Sequence, residues 1–110
     1  MVFVVQEVPG RNVIPAQKYG QLSVLLPPGD VVLSAGPTTR KLQRALKDFG
    51  DADYLLLMGD PVAIGLACAV ASDANQGRFN CLKWDRQNHV YYPVAVDLNR
   101  KPVTEGLKHR

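Results

Sequence analysis

The sequence predicts a single small α/β domain: a mixed parallel and antiparallel sheet of about five or six strands, two crossover helices and a C-terminal β-hairpin. Three observations carry that prediction. Short apolar runs of strand length recur at residues 2–8, 54–58 and 90–97. Two stretches of helical length separate them, an amphipathic one at 38–49 and an apolar one at 61–75. The last two strand-like runs, 79–84 and 90–97, lie close enough for a tight antiparallel connection. A chain of 110 residues has room for one core and not for two.

Residues 2–8 (VFVVQEV) are apolar on both faces through Val2, Phe3, Val4 and Val5, as an interior strand requires, and Pro9-Gly10 ends the run. Residues 9–20 hold two prolines, two glycines and two positive charges without any period. A connection of that length in so small a domain is expected to be functional or to lie against a neighbour. Arg11, Lys18 and Tyr19 are its side chains suited to a ligand, and Val13 and Ile14 its anchors. Residues 21–26 and 30–34 read as two short strands around Pro27-Pro28-Gly29, a sequence with turn chemistry. A hairpin is the simple reading, and a crossing to another edge is the other.

The amphipathic helix at 38–49 buries Leu42, Ala45, Leu46 and Phe49 at i, i+3, i+4 and i+7, and Gly50 closes it. Arg40, Arg44 and Lys47 fall on the opposite face. With the strand from Tyr54, residues 31–58 are expected to form a β-α-β unit with parallel strands. Gly59-Asp60-Pro61 then turns the chain, with Asp60 as N-cap and Pro61 as the first helical residue. From Val62 to Ala71 no polar side chain interrupts the helix, which is expected to be covered on more than one side, in part by a second copy. A homodimer is the expected state. Gly77 ends this helix, and Pro93, which lacks an amide hydrogen, assigns residues 90–97 to an edge strand or a bulge. Residues 1–98 are read as the domain and 99–110 as a polar, basic, mobile tail.

Composition narrows the function classes. The net charge is +3, with the excess in the first fifty residues and in the tail. That favours phosphate-bearing or acidic partners. No apolar segment reaches about 18 residues, and the N-terminus lacks a basic region ahead of its apolar run. A cytoplasmic protein without a membrane partner is expected. Cys68 and Cys81 form no CxxC pair and read as buried free thiols in a reducing compartment. His89 lies in a hairpin loop and His109 in the tail, so neither has a visible orienting partner for general-base work. Ser23, Ser34 and Ser72 lie outside any GxSxG context. There is no metal-ligand spacing, Walker lysine or GxGxxG, so no metal, cofactor or catalytic residue is assigned.

Two binding sites remain. The turn from Ser34 to Lys41 puts glycine, two hydroxyls and two cations at the start of a helix, where free amides and the helix dipole favour an anion. Thr38, Thr39 and Arg40 would hold a phosphate, while Asp60 on the same carboxyl edge bonds a sugar hydroxyl or a metal-bound water. The purely structural account has Thr38 or Thr39 capping the helix, Arg40 in solvent and Asp60 capping the next helix. The acid at Asp60 disfavours an anion at its own turn, so the 53–75 stretch is expected to be scaffold. The second site is the basic stripe Arg40, Arg44 and Lys47, together with Lys83, Trp84 and Arg86 near Tyr91 and Tyr92. Cations beside aromatic faces suit nucleic acid. Cross-strand packing accounts for the same aromatics without a partner.

The preferred function is a non-enzymatic accessory binding module whose basic helix face meets nucleic acid or an acidic protein. The alternative is a small phosphate- or nucleotide-binding protein using the Ser34 to Lys41 turn and Asp60. No motif names a family. In compactness and in lacking a catalytic signature, the chain is similar to small accessory proteins of phage or mobile-element genomes.

Overall fold

The computed structural model describes residues 1–29 and 33–99. In chain order it contains β1 (Val2–Gln6), a 3-10 helix (Ile14–Tyr19), β2 (Leu22–Leu26), α1 (Ala35–Ala45), β3 (Tyr54–Leu56), α2 (Pro61–Ala74), β4 (Arg78–Asp85) and β5 (Val90–Asp97). The strands form one sheet in the order β2-β1-β3-β4-β5. The first four are parallel, and β5 runs antiparallel to β4 at the edge, where Pro93 is tolerated.

Connection geometry decides which face each helix takes. From β2 through α1 to β3, and from β3 through α2 to β4, the chain steps the same way across the sheet. From β1 to β2 it steps the opposite way. A common right-handed crossover then puts α1 and α2 on one face and the 3-10 helix on the other. The two cores agree. Leu42, Leu46 and Phe49 meet Ala63, Ala67 and Ala71 over Val5, Leu55 and Cys81, whereas Ala16 packs with Val2, Val4, Leu56 and Leu82 behind the sheet. β1 therefore reads apolar on both faces because both are buried. Each fully buried leucine contributes about 1.5–3 kcal/mol by leaving water.

Several boundaries differ from those the sequence predicts. Asp30, Val31 and Val32, the larger part of the strand expected at 30–34, lie outside the described residues, as does the tail from Arg100. Leu33 and Ser34 are not strand, and Leu33 is 91% exposed. β2 pairs in parallel with β1, so β2 itself supplies the first strand of the crossover to β3, and β1 lies between them. α1 starts three residues before Thr38 because Pro37 fits the first helical turn, where no amide hydrogen is needed. It ends at Ala45, which is exposed, and a turn carries Leu46 and Phe49 into the core.

α2 has the expected span, but it is not covered all round. Val62, Gly65 and Ala69 form an exposed stripe, because α1 and the sheet cover only the Ala63, Ala67 and Ala71 side. Beyond α2, Tyr92 and Val94 on the outer strand are also partly open. Among the described residues, no helix is long and apolar enough to cross a membrane.

Candidate ligand cleft

The carboxyl ends of β1 and β3 lie side by side, and the chain leaves them toward opposite faces of the sheet. Such a reversal opens a crevice that neither connection fills. Here it is a cleft of about 530 Å³, open to solvent. Gln6, Glu7, Val8, Pro9 and Arg11 line it from β1 and the loop that follows. Leu57, Met58, Gly59 and Asp60 line it from the β3–α2 turn, together with Gly29 and Ile64.

One side chain ties the cleft's floor together. Gln6 is only 4% exposed. Its Oε1 accepts the Asp60 amide hydrogen at 2.7 Å, and its Nε2 donates to the Pro27 carbonyl at 3.1 Å. Its own amide donates to the Met58 carbonyl at 3.1 Å. The ends of β1, β2 and β3 are thus joined through a single residue. Gly59, at φ +116°, lies so close that any Cβ there would fall on the Gln6 side chain.

Asp60 occupies the N-cap position before Pro61, but its side chain makes no cap hydrogen bond. Asp60 lines the cleft together with Glu7 and Arg11. Carboxylates accept from ligand hydroxyl or amino groups, and a guanidinium donates in a fork to phosphate. Val8, Pro9, Leu57, Met58 and Ile64 supply apolar wall. This mixture of apolar surface and a few convergent polar groups is what small-molecule sites use.

The residues singled out from the sequence are distributed differently. Asp60 lines the cleft, whereas Thr38, Thr39 and Arg40 are not among its lining residues. Thr38 and Thr39 are half-buried in the first turns of α1, and Ser34 at its N-cap makes no side-chain cap bond. Arg40, Arg44 and Lys47 are exposed, and none joins an ion pair among the described residues. Lys83 and Arg86 are exposed on the final hairpin, but strand alternation separates the aromatic residues. Trp84 pairs with Tyr91 behind the sheet, and Lys83 with Tyr92 on the helix side. These six residues do not form one continuous surface.

Behind the cleft, a second hollow of about 150 Å³ is lined by Gly10, Arg11, Asn12, Trp84 and Tyr91. Tyr91 donates its hydroxyl hydrogen to the Asn12 carbonyl at 3.2 Å and so holds the 7–13 loop against the sheet. Burial pushes the Tyr91 hydroxyl up from its usual value, with Arg11 partly offsetting this, so it remains a donor at neutral pH. Tyr19 is structural: its ring lies 5.4 Å from that of Tyr54, and its hydroxyl donates to the Tyr91 carbonyl at 3.0 Å. Lys18 sits over the Tyr19 ring at 5.3 Å.

Other chemistry is sparse. Cys81 is buried and Cys68 half-buried, and burial pushes both thiols up, which keeps them protonated at neutral pH. Among the described residues, no three His, Cys, Asp or Glu side chains are grouped to hold a metal ion.

The model of one protein family, described as phage Pam3 gp32-like protein, matches residues 1–98. The chain belongs to this family. No curated protein and no solved structure matches it. The match covers every strand and helix of the fold and the whole cleft, so the cleft is part of what the family model spans. Gln6 and Glu7 carry the cleft and were not singled out from the sequence. The available signal was a polar pair ending an otherwise apolar strand.

Proposed function

We propose that this protein binds a small phosphorylated ligand, a sugar phosphate or a nucleotide, in the carboxyl-edge cleft. The observation that carries the reading is the cleft's position where the chain leaves β1 and β3 toward opposite faces. Arg11 receives the phosphate, and Glu7 and Asp60 accept hydroxyl hydrogens from the rest of the ligand. The acids argue against a phosphate lying beside them, which is why the anion is assigned to Arg11. A thermal-shift panel of ribose 5-phosphate, nucleoside monophosphates and inorganic phosphate tests the proposal. A ligand at a hundred times its Kd stabilises by about 2.7 kcal/mol, which raises the melting midpoint by several degrees. Arg11→Ala and Glu7→Gln are each expected to remove most of that shift while leaving the unliganded midpoint within about 2 °C. A flat response of the parent protein across the panel rejects the reading.

A second reading, an interaction module that self-associates and presents a basic helix face to nucleic acid or an acidic protein, is favoured by a different observation. Arg40, Arg44 and Lys47 project from one helix and the turn after it without ion-pair partners among the described residues. The open Val62, Gly65 and Ala69 stripe supports a homodimer. A triple Arg40→Gln, Arg44→Gln, Lys47→Gln variant is expected to lose binding to single-stranded DNA or RNA that the parent shows at low salt, with a correspondingly shallower salt slope. Light scattering on the same samples should give twice the chain mass. A monomer mass together with undetectable low-salt binding removes this reading.

A further inference from the structure

We infer that the hollow between Trp84 and Arg11 is a base-stacking subsite, so that the cleft's ligand is a nucleotide rather than a bare sugar phosphate; this rests on the cleft reading above. The hollow and the cleft share Arg11, so the two lie within one side chain's reach of each other. Both open at the carboxyl edge, on either side of the 7–13 loop.

The hollow is built for a flat ring. Its volume, about 150 Å³, suits one planar heterocycle and little more. Trp84 is fixed in place by Tyr91 at 4.9 Å and His89 at 6.1 Å, at steep angles to its own plane. Gly10 contributes no side chain, and a Cβ added there would meet nothing within 4 Å. The loop that bears Arg11 is fixed before any ligand arrives. Asn12 Oδ1 accepts the Ile14 amide hydrogen at 3.1 Å, and the Asn12 carbonyl accepts from Tyr91. Arginine's planar guanidinium either stacks on a ring or grips a phosphate in a fork. Placed between hollow and cleft, it can do either for one ligand that reaches into both. Preorganisation of this kind lowers the entropy cost of binding.

Trp84 is the only tryptophan in the chain, so its fluorescence reports on the hollow directly. Adenosine and uridine 5′-monophosphates are expected to quench its emission over the same concentration range in which they raise the melting midpoint. Ribose 5-phosphate is expected to shift the midpoint less and leave the emission unchanged. Trp84→Leu should lower nucleotide affinity about ten-fold, bringing it to that of ribose 5-phosphate, whereas Trp84→Phe, which keeps a stacking ring, should stay within about three-fold of the parent. Equal binding of nucleotides and ribose 5-phosphate without quenching overturns the stacking subsite and leaves the cleft reading standing. Absence of binding by every ligand overturns both. Quenching by nucleotides that persists undiminished in Arg11→Ala overturns the shared role given to that residue.

Discussion

Gly59→Ala is expected to lower the melting midpoint by about 15 °C, far more than any other glycine substitution at this edge of the sheet. Two costs add. At φ +116° an L-residue is strained by about 1–3 kcal/mol. The new Cβ would also fall on the Gln6 side chain, which must move and surrender hydrogen bonds to Asp60 and Pro27 worth about 1–3 kcal/mol. The sum, about 2–6 kcal/mol, brackets that shift at roughly 4 °C per kcal/mol in a domain of this size. Gly10→Ala separates the two costs. Gly10 also has positive φ, at +86°, but nothing lies within 4 Å of an added Cβ, so only the backbone strain of about 1–2 kcal/mol applies. Differential scanning calorimetry on the two variants decides the matter. If Gly59→Ala melts no lower than Gly10→Ala, the contact between Gly59 and Gln6 does not constrain this turn.

The contrast shows what could and could not be read from the chain alone. The strand, Gly-Asp-Pro turn and helix at 54–75 were legible because each rests on a local rule: an apolar run, a proline at the first helical position, an uninterrupted stretch of small and apolar residues. The final hairpin was legible for the same reason, as was the edge position that Pro93 imposes. Strand order was not legible. That β1 is central, with β2 on one side and β3 on the other, depends on tertiary pairing that no short window encodes. The cleft follows from that order alone. From the sequence, the turn from Ser34 to Lys41 is the expected anion site and the 53–75 stretch is expected to be scaffold apart from a ligand contact by Asp60, because the acid there opposes an anion. The pairing of β1 with β3 supplies what was missing: it brings Arg11, from a loop without periodicity, to the same opening as Asp60. How much of α2 its own chain covers was not legible for a related reason. Local periodicity gives the apolar surface a helix presents, and the sheet's width decides how much of it is covered.

Gln6→Leu is expected to cost about 2–4 kcal/mol, although it adds an apolar side chain to a nearly closed position. The parent side chain satisfies a part-buried amide hydrogen at Asp60 and a carbonyl at Pro27 in two different segments, and leucine can satisfy neither. Leaving such groups unpaired costs more than the gained apolar contact returns. Gln6→Glu tests the hydrogen-bond account more sharply, because it preserves shape and one acceptor. As a carboxylate it still accepts from Asp60, but it cannot donate to Pro27, and it adds negative charge beside Glu7 and Asp60. Burial and these neighbours raise the introduced carboxyl's pKa in the folded state above its unfolded value of about 4.3. A raised folded-state pKa means that the folded protein holds the proton to higher pH. The variant's stability relative to the parent is therefore fullest below about pH 4.3 and declines as pH rises through the folded-state value. Urea denaturation at pH 4 and pH 8 should show the gap between Gln6→Glu and the parent widening with pH, while the Gln6→Leu gap stays constant. A Gln6→Glu gap that is the same at both pH values would mean that the side chain is solvated at this position. The tie between the ends of β1, β2 and β3, and with it the rigid floor proposed for the ligand, would then have to be abandoned.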